Sequence, residues 1–473
     1  MKTSFSLEKY LVLFMPWGLA SLFSSDPVLS YYIAWLGSFL IFYLTLSGWV
    51  KPIPDDLSIP EQLMRPIFLV QIIFAGYMSA TSIFYFLDTL GYQNFHKISE
   101  YYLIDHAKLE LIAQCQRYYC LGHAAFVTGI LVCMRYPIKQ QFYIEKEKIS
   151  NLLFYLAIVA FPISLIFLKV PGLAQFYYQF SSLSFIAGTL ALAFAIPLRK
   201  IWNTLICVGL YIFNFYEALL SGFKEPIIIS VLVLGIFLYP TYKKLVTFTF
   251  VPFLILLFIF LPTYNRIFRE NAWSGDANAE DASQLALDAA FNKDSPQAMD
   301  DPDESNWAFL AYRLSEIDMF TEFVQSTPDR VDFYGLQLIK QSGVAIIPRV
   351  FWPGKPNTEA LVMERVYDAG VIARSSTVSA KPPFIVDAYL SYGGLGVFIF
   401  LFLYGATAQL IALKAETLFG GYILGTSLVF SGLFQIMWRG LSFEFLINTV
   451  FWSFISMLII QKALLAGNIL KRL

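Results

Sequence analysis

The chain of 473 residues is 57% hydrophobic and 18% aromatic, with 14% charged residues and a formal net charge of -1. Soluble globular chains carry about 25% charged and about 45–50% apolar residues, so this balance, with a mean hydropathy of +0.60, excludes a soluble enzyme, a disordered chain and a nucleic-acid binder. It predicts an all-α integral membrane protein whose surroundings are membrane lipids.

A crossing helix needs about 20 largely apolar residues. Twelve stretches qualify, near 8–24, 30–49, 66–91, 118–134, 150–169, 177–197, 201–222, 225–241, 245–262, 385–413, 417–437 and 443–464. Spans one to nine thus lie within 1–262 and spans ten to twelve within 385–473, with a long loop at 263–384 between them. Pro16 interrupts the first stretch. Lys2 and Lys9 precede its apolar run as in a signal peptide, yet no small-residue cleavage site follows, so it reads as an anchor. Twelve crossings leave both termini on one side. If that side is cytoplasmic, the short inner segments carry 16 Lys and Arg against 6 in the short outer ones, the asymmetry that the positive-inside rule requires. Both termini are therefore expected inside and the long loop outside.

The loop divides in two. Residues 270–305 are acidic and poor in aromatics, and charge without apolar content predicts a flexible, solvated insertion. Asp301-Pro302-Asp303 belongs to that solvated stretch rather than to a metal site, since nucleotide sugars are cytoplasmic. Residues 306–384 read as ordered. Trp307, Leu310, Leu314, Ile317 and Phe320 recur at helical spacing behind Ser305 as N-cap, and the helix should end before Thr327-Pro328. A second amphipathic piece runs from Leu336 to Ala345. Pro348, Pro353 and Pro356 then exclude a regular helix. Arg349, Trp352 and Lys355 on this stiff segment suit sugar stacking and phosphate pairing, or equally an interfacial plug with its cations in water.

Further cations gather at the expected outer face: Arg266 and Arg269 on one helix face, Arg313 in the amphipathic helix, Lys224 in the turn 222–226, and Arg439. Each alone reads as a snorkelling anchor; together they suit an anion clamp. Asp387, Glu217 and Glu444 are carboxylates at span ends, where an ionisable group is a functional candidate or the partner of a neighbouring Arg. Four Cys without paired spacing form neither a zinc site nor a disulfide framework.

The order Arg313-Leu314, Thr327-Pro328, Tyr334-Gly335, Pro348-Arg349 through Trp352-Pro353 to Lys355-Pro356, then Asp387-Ala388-Tyr389 and Gly393-Gly394-Leu395-Gly396, resembles the Wzy-type O-antigen and capsular polysaccharide polymerases, membrane glycosyltransferases of the broad GT-C class. The resemblance covers mainly 300–400. It implies a bacterial inner-membrane enzyme that polymerises undecaprenyl-pyrophosphate-linked oligosaccharides, serving as both donor and acceptor, on the periplasmic side. It also implies a chain-length regulator and a flippase as partners. The pyrophosphate leaving group needs charge neutralisation, which arginines provide without metal or cofactor. The acceptor hydroxyl benefits from a base, with Asp387 the first candidate and Glu217 the second. Substrate binding falls to Arg313 and Arg349 first, then Lys355, Trp352, Arg266, Arg269, Lys224 and Arg439. Alternatives remain open: an O-antigen ligase, although 263–384 lacks the His that ligases of this type use there; a twelve-span transporter, although no internal repeat is evident; or an assembly scaffold.

Overall fold

Local punctuation in the sequence sets the helix boundaries. Asp26 caps helix Pro27–Leu46, its carboxylate accepting from Leu29 N at 3.0 Å with Pro27 at the first helical position. Asp105 caps helix His106–Cys133 through Lys108 N at 3.1 Å. The computed structural model describes residues 7–170, 172–222, 224–272, 277–291, 302–314, 316–376 and 379–473; the side chains of 146–147, 224–225, 302–306 and 313 lie outside that description. The chain is 72% helical, which defines an all-α membrane protein. Among the described residues eight helices are long and apolar enough to cross a membrane: Pro27–Leu46, Gln71–Thr89, Lys148–Lys169, Ala174–Ala195, Ile201–Leu220, Lys243–Ala272, Phe384–Leu418 and Phe443–Ala466.

The other four apolar stretches are helical in other ways. Residues 8–24 split into Leu7–Val12 and Met15–Leu22, with Pro16 in the first turn, where its missing N–H breaks no helical bond. Residues 118–134 are the later part of helix His106–Cys133. Residues 225–241 hold the short helix Lys224–Leu238. Residues 417–437 are broken into a π-helical run Ile423–Phe430, a turn Ser431–Leu433 and a further turn Ile436–Arg439.

Helix Phe384–Leu418 packs chiefly on helix His106–Cys133. Apolar side chains gain little from leaving lipid, so close backbone approach carries the contact. At Gly129 and Gly405 a Cβ would collide with the carbonyls of Phe402 and Phe126 on the facing helix. Two turns from its start the long helix kinks at Tyr392 (φ -151°, ψ 31°) and Gly393 (φ 60°, ψ -141°). The carbonyls of Leu390 and Ser391 lose their helical donors there. They accept instead from Tyr334 N at 2.9 Å and Gly335 N at 3.1 Å, so the long loop seats itself on the kink.

Most of that loop is helical. The helix expected from Ser305 to Ser326 is two helices, Pro302–Arg313 and Ile317–Ser326, parted where Glu316 takes a left-handed conformation (φ 52°). The first starts on Pro302 rather than on a Ser305 cap. Trp307 Nε1 donates to Asp88 Oδ1 at 2.8 Å and Tyr312 OH to Asp88 Oδ2 at 2.5 Å, which pins that helix to the bundle. The second buries Ile317, Phe320 and Phe323, and Phe320 meets the Tyr119 ring at 5.5 Å. Helix Gln337–Ile346 lies on helix Phe443–Ala466, where Trp452 Nε1 donates to Ile346 O at 2.8 Å. Part of the acidic stretch departs from the flexible reading. Residues Ala279–Phe291 form a helix whose Ala282, Ala286 and Ala289 pack with Tyr264, Ile267 and Phe268. Small alanines supply the apolar face that the charge count conceals. Asp301 lies outside the described residues.

The two ends of the bundle differ. At one, Lys51 Nζ donates to Leu131 O and Met134 O at 2.6 Å. There Arg65 is held by Asp56 at 2.7 Å and Glu416 at 3.2 Å, beneath the Tyr136 ring. Strand Phe142–Tyr143 pairs with Lys471–Arg472, and Lys471 Nζ meets Glu145 at 2.6 Å. At the other end the long loop is docked.

Candidate functional site

Under the docked loop lies a buried ionic centre. Asp387 stands in the first turn of helix Phe384–Leu418 and Glu444 in the first turn of helix Phe443–Ala466, where the helix dipole favours a carboxylate. The third member comes from the loop. Asn357 caps helix Thr358–Asp368, accepting from Glu359 N at 3.0 Å, and the helix buries Val362, Met363 and Val366. Arg365 falls on that same face, so its guanidinium is carried inward. Nη1 and Nη2 donate to Glu444 Oε1 and Oε2, both at 2.8 Å, and Nη2 also donates to Asp387 Oδ2 at 2.9 Å. Phe443 N donates to the same Oδ2 at 2.8 Å. Arg365 is 2% exposed, and both carboxylates are fully enclosed.

One guanidinium faces two carboxylates, so the ionised centre is formally one negative charge in excess. Asp387 Oδ1 is buried without a hydrogen-bond partner among the described residues. Leaving a buried acceptor unpaired costs about 1–3 kcal/mol, which makes Oδ1 the atom of this centre poised to receive a proton or a donor group. Burial alone would lower the Arg365 pKa; the charges of Asp387 and Glu444 outweigh it and hold the guanidinium above the ordinary arginine range. Burial pushes the Tyr334 hydroxyl up to about 12, with the Asp368 charge adding to it.

The expected site residues are distributed more widely. Arg349 is exposed on its loop, donating to Lys355 O at 3.2 Å. Trp352 is 40% exposed beside Phe351 at 77%. Lys355 is buried, contrary to a phosphate-binding cation. Its ammonium donates to Ala345 O and Ile347 O at 2.8 Å each, capping the end of helix Gln337–Ile346. Burial, with Arg349 nearby, lowers its pKa. Glu217 is exposed on helix Ile201–Leu220 and is not among the groups that partner the centre. Arg266 pairs with Glu270 at 3.7 Å. Arg269 Nε donates to Gly222 O at 2.9 Å, and Lys224, expected in a turn, is the first residue of helix Lys224–Leu238. Arg439 ends the turn Ile436–Arg439 and is half-buried. The side chains of Arg313 and Lys224 lie outside the described residues.

The residue that sequence reasoning missed is Arg365. A signal existed: Val362, Arg365 and Val366 share one stripe at i, i+3 and i+4, so a charge interrupts an apolar face. Such a charge is either an error of register or a buried partner for carboxylates elsewhere.

Fold and site together define an all-helical membrane protein with an ion-paired centre sealed by a helical interspan loop. Within that class the chain belongs to the family described as a domain of unknown function, DUF8712, whose model matches residues 15–472. No curated protein and no solved structure matches the chain.

Proposed function

We propose that the protein polymerises undecaprenyl-pyrophosphate-linked oligosaccharide repeat units on the outer face of a bacterial inner membrane, as its resemblance to the Wzy-type polymerases implies. The observation that carries this reading is the Arg365–Asp387–Glu444 centre. It offers a carboxyl with one unpartnered oxygen beneath the same loop that bears Arg349 and Trp352. In the reaction an acceptor hydroxyl attacks the anomeric carbon of the donor sugar. The bond from that carbon to the pyrophosphate oxygen breaks, and undecaprenyl pyrophosphate leaves with the electron pair. Asp387 Oδ1 takes the hydroxyl proton, while Arg365 and Phe443 N fix the other carboxyl oxygen. Arg349 pairs with phosphate oxygens, and Trp352 offers a face to a sugar ring.

The same reading takes all twelve apolar stretches as crossings, with both termini cytoplasmic and the loop periplasmic. Support comes from the end of the bundle opposite the loop. Contacts there join the segments around Lys51, Arg65, Tyr136, Glu145 and Lys471, all of them cation-rich short segments assigned inside.

The test is chain elongation by the purified protein in lipid, with donor binding measured separately. Asp387→Asn should bind donor and not elongate. Full-length polymer from Asp387→Asn at normal protein level removes the base assignment. A deletion strain that loses long chains but keeps lipid capped with a single unit supports polymerase over ligase.

A further inference from the structure

A second polar site lies at the loop end of the bundle, apart from the ionic centre. Trp17, Ser21, Ser24, Gln114, Arg117 and Tyr118 line a cavity of ≈ 270 Å³. It sits where helices Met15–Leu22, Pro27–Leu46 and His106–Cys133 meet. Arg117 is half-buried, and no carboxylate among the described residues lies within ion-pair distance of it. Its Nη1 donates to Ser30 Oγ at 2.8 Å, and Ser30 Oγ donates onward to Ala20 O at 2.7 Å. The second bond turns a lone pair of Ser30 towards Arg117 and fixes the guanidinium in place. A guanidinium has five N–H donors, so most of this one remains for a ligand.

The other lining groups also present donors. Gln114 Nε2 uses one N–H on Tyr118 OH at 3.3 Å, which leaves its second N–H and the Tyr118 hydroxyl proton. Among the described residues the lining thus carries one fixed positive charge, several donors and no anion, which is the complement of an anionic, oxygen-rich group. Beside it, a Cβ on Gly394 would come within 3.3 Å of Tyr118 Cε1, which brings the helix segment that bears Leu395 and Phe398 up to the cavity. Leu395 is 63% and Phe398 40% exposed, one turn apart, and the Phe14 and Phe398 rings meet at 5.6 Å. The apolar side chains of Phe14, Leu395 and Phe398 therefore adjoin the polar cavity.

We infer that this cavity binds the phosphate group of a membrane lipid, with Arg117 as its counter-charge and the lipid chain along Phe14, Leu395 and Phe398. The site stands whatever reaction the ionic centre performs. The probes are farnesyl phosphate, farnesol and inorganic phosphate, each titrated by calorimetry against the full chain in detergent. Farnesyl phosphate should bind, farnesol should bind at least about 10-fold more weakly, and Arg117→Gln should weaken farnesyl phosphate about 10-fold, a difference of about 1.4 kcal/mol. Arg117→Lys should recover part of the loss. Gln114→Glu supplies an internal carboxylate one turn from Arg117; it should block farnesyl phosphate while leaving the melting temperature unchanged or raised, and so serves where Arg117→Gln does not fold. Undiminished binding by Gln114→Glu, or by a folded Arg117→Gln, overturns the site. Inorganic phosphate binding as tightly as farnesyl phosphate overturns the lipid assignment in favour of a free anion.

Discussion

Arg365 and Glu444 are joined by two parallel N–H···O bonds of 2.8 Å each, between a loop helix and the first turn of helix Phe443–Ala466. The pair ties the loop to the bundle where a carboxylate of a third helix, Asp387, completes it. Arg365→Ala leaves two buried carboxylates without their cation, and breaking a buried pair costs about 3–5 kcal/mol. Its melting temperature in detergent should fall steeply. Arg365→Lys keeps the charge and loses the fork, so it should melt between the two. An unchanged melt for Arg365→Ala would show that the pair does not hold the loop.

Asp387→Asn is expected to behave differently. The amide oxygen can take the place of Oδ2, accepting from Arg365 Nη2 and Phe443 N, so stability should stay within about 1 kcal/mol, near the worth of one ordinary hydrogen bond. Elongation should drop by a factor on the order of 10² to 10⁴, the range of general-base contributions. Loss of fold alongside loss of elongation would make Asp387 structural only.

Gly393 tests the seat of the loop. Its backbone (φ 60°, ψ -141°) is open to glycine and strained for other residues, and a Cβ there would come within 3.2 Å of Phe333 Cζ. Gly393→Ala should cost about 1–3 kcal/mol. It should also speed amide exchange at Tyr334 and Gly335, whose N–H groups are bonded across the kink. Unchanged exchange at these two amides would separate the kink from the loop.

What the sequence discloses and what it hides follow from the range of each interaction. Helix starts at Asp26-Pro27 and Asp105 are set by neighbours within four residues, yet the apolar stretches 30–49 and 118–134 begin after them, because hydropathy marks the apolar segment and not its cap. The end of the loop helix at Ser326 is readable, from Thr327-Pro328 just beyond it. The break after Arg313 is not, because the apolar spacing of Trp307, Leu314 and Phe320 runs through it. The helix at Ala279–Phe291 is hidden because its buried face is alanine amid Glu280, Asp281 and Asp288. Asp387 stands out as a carboxylate in an apolar span. Its partner Arg365 sits 22 positions earlier and Glu444 lies 57 positions later, so only the tertiary fold joins them. Lys355 shows the reverse error: its position beside prolines suggests a free cation, whereas two backbone carbonyls occupy it.

Topology has a direct check. The cation asymmetry of 16 against 6 in short segments predicts that a reporter active only outside the cytoplasm works when fused near Ser295. The same reporter should fail near Lys146 or at Leu473. Activity at Lys146 together with silence at Ser295 would invert the chain and exclude a periplasmic lipid-linked donor.

Arg349 and Lys355 lie six positions apart on one proline-rich segment, and the structure gives them opposite duties. Arg349 is exposed, with its guanidinium turned, among the described residues, to Lys355 O at 3.2 Å and Pro356 O at 3.5 Å. Arg349→Ala should therefore leave the melting temperature nearly unchanged and, if it stabilises departing pyrophosphate, slow elongation by a factor on the order of 10² to 10³. Lys355→Met should do the opposite: elongation per folded molecule is retained, while the carbonyls of Ala345 and Ile347 lose their donor at a cost of about 1–3 kcal/mol each. The lysine also predicts a pH signature. Burial, then the charge of Arg349, lowers its pKa in the fold, so the folded chain holds this proton less firmly than the unfolded one. Stability then rises as pH climbs through the window from the lowered folded value to the ordinary lysine value of about 10.4. The gap in melting temperature between the wild type and Lys355→Met should widen with pH across that window. A gap independent of pH would place the Lys355 ammonium in water, and equal melting of the two proteins would return it to the set of free cations available to a phosphate.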